Sequence, residues 1–220
     1  MQVVVALWLL NGVTAALAPV TPAQSVSGQA YGALVQGPSG TQQLALAVLP
    51  AVAQTDGAMA DGEADALSVP GTITTEALTG NTSGSIGDAA AAQSVATVFN
   101  VNLLNGLITA TNLTATVSST SNALGSTFGN LVVNGVPMTS GDGAIAPNTR
   151  VNLPGVGYVV LNEQRPTGDG VRASGLTVNL IHVVLQSLTG GGCTLLGCLP
   201  GVLTTTGEII VGSASSTAAM

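Results

Sequence analysis

Residues 94–118 read SVATVFNVNLL-NG-LITATNLTATVS. Ser94 to Leu104 alternates and is rich in β-branched residues, the pattern of a half-buried strand whose side chains point to opposite faces in turn. Asn105-Gly106 supplies the two residues that a tight hairpin turn tolerates best. Leu107 to Ser118 then alternates again. Ala89 to Ala92 favours helix by propensity, but the stretch as a whole predicts a central antiparallel hairpin, 90–104 against 107–118.

The same rhythm extends outward in both directions. Strands are expected over 25–35, over 43–49 where Pro50 ends the run, and over 71–78. Turns are expected at 37–40 and at the Ser/Gly/Asn stretch 81–87, and an acidic loop over 54–66. Asn134-Gly135 marks another tight turn, between 129–133 and 136–138. Strands at 151–154 and 156–162 follow, then a loop over 163–170, a long apolar strand over 171–186, a cysteine hairpin, and a last strand over 207–213. Gly, Pro or Asn-Gly breaks at this spacing predict one all-β domain, an antiparallel sandwich or jelly roll of about ten strands over residues 24–214. Residues 215–220 are expected to fray.

Composition sets the function classes. The chain has no lysine, three arginines and one histidine, with a net charge of -7; 46% of it is hydrophobic and 2% aromatic. The core must therefore be aliphatic. Nucleic acid is excluded as a partner, because a binder needs clustered cations and Arg150, Arg165 and Arg172 are few and scattered. Apolar content this high also excludes a chain that cannot collapse. Val3 to Leu10 (VVVALWLL) followed by an Ala-rich stretch reads as a secretory signal over 1–23, cut after Thr21-Pro22-Ala23. The alternatives are a buried apolar N-terminal segment and a short anchor. Cleavage would remove Trp8, the only tryptophan. No stable membrane span is expected after processing.

Few residues carry candidate chemistry. Cys193 and Cys198 are the only cysteines. In an exported chain they predict one disulfide across a short hairpin, in preference to redox thiols or a zinc site. Asp56, Asp61, Glu63 and Asp65 gather in one expected loop and form a candidate calcium site, although the spacing is not that of an EF-hand; the alternative is a solvated acidic loop. His182, in LIHVVL, shares a strand face with Val184 and Gln186. It reads as a strand histidine rather than a triad base, since no GxSxG elbow is present. Glu163 is a candidate general acid or base if buried, but pairing with Arg165 or Arg172 beside a turn at Asn162 is the preferred reading.

Three pieces resemble the choice-of-anchor P family of exported bacterial proteins. They are the Ser-Val-Ala stretch running into Ile108-Thr-Ala-Thr-Asn-Leu-Thr-Ala115, Pro147-Asn-Thr149 running into Gly157-Tyr-Val-Val-Leu-Asn-Glu-Gln164, and Leu180-Ile-His-Val183 running into Gly207-Glu-Ile-Ile-Val-Gly-Ser-Ala214. The resemblance spans roughly residues 90–214 and implies a secreted β-rich domain of unassigned activity. This sequence departs from the family pattern in showing no LPxTG motif or apolar tail after residue 214, so release or retention by assembly is expected rather than wall attachment. The expected function is an exported, non-enzymatic cell-surface or extracellular structural protein. It would pair with copies of itself through strands that carry no lysine to block pairing. A calcium-dependent glycan- or protein-binding adhesin is the alternative, and a secreted hydrolase using Glu163 or His182 is less favoured.

Overall fold

The computed structural model describes residues 24–38, 40–52, 57–86, 90–120, 125–194, 197–199 and 201–219, and among them there is no helix. In chain order the strands are β1 (Ser25–Gly37), β2 (Gly40–Leu44), β3 (Ala47–Val52), β4 (Ala58–Ala64), β5 (Leu67–Val69), β6 (Ile73–Thr75), β7 (Leu78–Ile86), β8 (Ala90–Leu103), β9 (Ile108–Ser118) and β10 (Gly125–Gly129). The short β11 (Val132–Val133), β12 (Val136–Pro137) and β13 (Asp142–Gly143) follow. Then come β14 (Thr149–Leu153), β15 (Gly157–Gly168), β16 (Ala173–Thr189), β17 (Gly192–Thr194), β18 (Gly197–Leu199) and β19 (Val202–Ala219).

They form an antiparallel β-sandwich. Sheet A runs β14-β15-β16-β19-β1, with β2 and β3 end to end along the far side of β1. Sheet B is built on the expected hairpin, β8 against β9, extended by β7 and β4 and by β6 and β5 beyond β8, and by β10 to β13 beyond β9. The inward residues of both sheets meet in an aliphatic core, with Leu78, Leu103, Ile108, Leu113, Leu161, Leu180 and Ile209 fully buried; among the described residues Phe128 is its one buried ring.

Three expectations are corrected by how tightly the layers approach. Residues 81–86 continue β7 instead of turning. The Gly/Ser/Thr composition that suggested a turn serves packing: a Cβ on Gly80 would stand 2.5 Å from the carbonyl oxygen of Ala45 and 2.8 Å from that of Ala30, in the opposite sheet. A hydroxyl cluster fills the same end of the interior, Thr82 to Ser94 at 2.9 Å and Ser216 to Ser94 at 3.0 Å. Residues 58–64 form strand β4, where an acidic loop was expected. The tail is also ordered: β19 remains paired with β1 and β16 as far as Ala219, where fraying was expected, because Ala214, Ser216 and Ala218 are buried. The strand segments outnumber the expected ten because several are short pieces of interrupted edges, as at Ala45, which breaks the run expected over 43–49 into β2 and β3 with a φ of 54°.

Asparagine produces a second departure from simple alternation. Asn162 sits mid-strand in the left-handed region, φ 49°, and so does Gly212 in β19, φ 66°. Asn and Gly are the residues that tolerate this conformation. The in–out phase slips there: Leu161 and Ile181 point to the core, as do Val178 and Leu180, while Glu163 and His182 point outward. Leu180-Ile181 is apolar on both residues for this reason. Sheet B slips likewise at Asn100, φ 49°.

Candidate functional site

The phase slip draws a row of polar side chains together on the outer face of sheet A. Register places Glu163, Asn179, Ser213 and Tyr31 side by side on β15, β16, β19 and β1. His182 lies one step further along β16, opposite Val160 and Ile210. Glu163 is the hub. One carboxylate oxygen accepts from Arg165 Nε at 3.1 Å and its terminal nitrogen at 2.6 Å. The other accepts from Asn179 Nδ2 at 2.7 Å and meets His182 Nδ1 at 3.0 Å. Ser213 Oγ donates to Asn179 Oδ1 at 2.7 Å. The far ring nitrogen of His182 faces a Glu208 carboxylate oxygen at 3.6 Å and has no hydrogen-bond partner. Although the cluster lies on an outer face, Glu163, Asn179, His182 and Ser213 are all buried.

Electrostatics agrees with this geometry. Burial pushes the Glu163 carboxyl up, but hydrogen bonds from Asn179 and Arg165 and the charges of His182 and Arg165 outweigh it and hold the group below the usual glutamate range. Burial pushes the Tyr31 phenol up, its hydrogen bond with Ser213 opposes it, and the net shift is upward. At the far end of β15 the exposed Asp169 accepts from the backbone N–H groups of Ala173, Val171 and Arg172, which lowers its carboxyl to about 2.

The rest of the face continues this chemistry. Arg150 lies over the ring of Tyr158, 3.7 Å from its centroid. Both tyrosines, the one histidine and two of the three arginines therefore share one side of one sheet. The outer face of sheet B is different. Glu63, Thr79, Thr97, Thr114 and Thr127 fall in one cross-strand row on β4, β7, β8, β9 and β10. Its neighbours Asn81, Ser83 and Gln93 are exposed and neutral.

Beyond the sandwich, β16 and β19 run on as a ribbon. β15 leaves β16 at Leu185 and β1 leaves β19 at Gln36 opposite Glu208. From Ser187 to Thr206 the two strands pair only with each other among the described residues, and β17 and β18 continue the hairpin. Leu188 and Leu203 are register partners, 67% and 63% exposed, and Val202 is 64% exposed. No Asp, Glu, Lys or Arg lies between Arg172 and Glu208.

The structure brings together some of the residues picked from sequence and separates others. Glu163 pairs with Arg165 as expected, but Asn162 is a mid-strand residue rather than a turn cap, and residues 163–168 extend β15 in place of a loop. Its contact with His182 was not expected. Cys193 and Cys198 are backbone register partners across β17 and β18, the arrangement a hairpin disulfide needs; their side chains lie outside the described part of the structure. Asp61 and Glu63 project from β4 into solvent, Asp65 is exposed just after it, and Asp56 lies outside the described residues. No group of three or more metal-ligating side chains forms among the described residues. Sequence reading missed Asn179, Ser213, Glu208 and Tyr31. The available signal was polar residues interrupting apolar strands, Asn179 in TVNLI above all.

Comparison with known proteins adds nothing to this geometry: no family model, curated protein or solved structure matches the chain.

Proposed function

We propose that this is an exported, non-enzymatic exterior protein that builds larger structures by strand pairing between copies, with the ribbon formed by 187–189 and 202–206 as the pairing element. The ribbon is the observation that carries the reading. A two-stranded ribbon alone is marginally stable in water, and each free edge offers unpaired N–H and C=O groups to another strand. The ribbon is uncharged, so two copies meet without repulsion. Several sandwich edges are protected. β14 is five residues long between Pro147 and Pro154, β3 carries Pro50, and β12 is two residues ending in Pro137. β4 exposes Asp61 and Glu63.

The polar cluster favours a non-catalytic role. A general acid at neutral pH needs a raised carboxyl, whereas Glu163 is lowered and engaged on both oxygens. The imidazole of His182 fills the gap between Glu163 and Glu208, where an inverting glycosidase would keep its water. Ser213 donates to Asn179, leaving it unsuited as a nucleophile for His182. Sedimentation equilibrium tests the assembly: mass should rise with concentration for the native chain and stay at that of a single chain for Val202→Lys. A native chain that remains monomeric at every concentration refutes it.

A second reading, a glycan- or protein-binding adhesin, is favoured by the gathering of tyrosine, arginine and histidine on sheet A. A glycan array probed with native protein and with Arg165→Ala separates the two, since only a recognition face loses signal in the variant.

A further inference from the structure

At the base of the ribbon, where the β14–β15 turn meets the first ribbon residues, lies a cavity of about 590 Å³. Its wall combines Arg150, Asn152 and Gln186 with Val156, Leu188 and Leu203. This is the usual make-up of a small-molecule site, apolar for most of its surface with a few convergent polar groups and one charge, and its volume falls in the common range. A second cavity of about 510 Å³, between Ala58, Ser83 and Ala92, has no charged side chain to orient a ligand.

Arg150 decides the ligand. Its guanidinium carbon stands over the Tyr158 ring, 3.7 Å from the centroid, a contact that uses the π-face and leaves the N–H donors to bond an anion. Among the described residues no carboxylate stands within ion-pair distance of it, in a chain whose acids outnumber its cations. Leu188 and Leu203 sit opposite each other on the ribbon and expose most of their surface. An unpaired, pre-oriented cation beside a leucine pair fits a ligand with one anionic head and one apolar chain.

We propose that this cavity binds amphiphilic carboxylates, the carboxylate on Arg150 and the acyl chain along Leu188, Leu203 and Val156. The site does not depend on assembly. Val202 points to the opposite side of the ribbon from Leu203, so Val202→Lys leaves the cavity intact.

The test is calorimetric titration of the full chain with sodium decanoate below its micellar concentration, with 1-decanol and decyltrimethylammonium as controls. Saturable binding of decanoate, weaker binding of decanol and none of the ammonium compound are expected. Arg150→Gln should weaken decanoate roughly tenfold or more and leave decanol nearly unchanged. Leu188→Asn with Leu203→Asn should weaken both. These positions are exposed, and unchanged melting curves will confirm that the variants fold. Decanoate binding that persists in Val202→Lys supports the site whatever becomes of the assembly reading. Absence of saturation in the native chain, or an Arg150→Gln variant that binds decanoate as tightly, overturns the proposal.

Discussion

The two outer faces of the sandwich are made by the same alternation and carry opposite chemistry. Sheet B presents a row of threonines with exposed, neutral serine and asparagine around it. Sheet A presents a buried carboxylate that four donor groups converge on, linked to histidine, asparagine and serine. The difference lies less in composition than in connection. A hydroxyl row tolerates loss of any member, whereas a hub transmits the loss of one group to all its partners.

Substitution at the hub should therefore have the largest effect. Glu163→Ala leaves the buried Asn179 amide and His182 ring without their shared acceptor, and each unsatisfied buried polar group costs about 1–3 kcal/mol, so the loss should come to about 3 kcal/mol, with little added by the exposed Arg165. For a chain of this size that lowers the melting temperature by roughly 10 °C, measurable by circular dichroism. Ser213→Ala leaves Asn179 Oδ1 without its donor and removes the Ser213 contact with Tyr31, and should cost about 1–2 kcal/mol. Thr97→Ser and Thr114→Ser, in the opposite face, should stay within about 0.5 kcal/mol. Equal losses at Glu163 and Thr97 would erase the distinction.

Titration sharpens the contrast. Glu163 is lowered in the folded state, so its contribution to stability is present above the ordinary glutamate value of 4.5 and is lost as pH falls through the lowered one. Melting of native protein should weaken over that acid window more steeply than melting of Glu163→Gln. Asp169, lowered from 3.8 to about 2, adds a separate loss between those values that Asp169→Asn removes. The smallest effect is spectroscopic. Tyr31 is raised, so the fold favours its neutral form, a preference lost as pH rises through the raised value. Absorbance at the phenolate band should show Tyr31 titrating above 10.0, and Ser213→Ala should move it higher by removing the opposing hydrogen bond.

Fold class was legible because the residues that determine it are local. Asn105-Gly106 and Asn134-Gly135 mark their hairpins with a conformation no other common pair adopts as easily, and both hairpins form. What stayed hidden depends on the other layer. The glycines and hydroxyls of β7 look like a turn until β1 is seen pressed against Gly80. Acids at 61 and 63 look like a loop until β4 is seen paired with β7. The polar cluster was hidden for another reason: strict alternation cannot register a slip, and the left-handed residues at 162 and 212 turn Glu163 and His182 toward each other across two strands. The preference of asparagine for that conformation, with polar residues such as Asn179 interrupting apolar strands, was the local trace.

Hydrogen exchange at low and high protein concentration addresses the central claim residue by residue. The account predicts that amides of 187–189 and 202–206 gain protection as concentration rises, that those of β4 and β14 do not, and that Val202→Lys abolishes the gain. Ribbon amides that exchange equally fast at every concentration would contradict it.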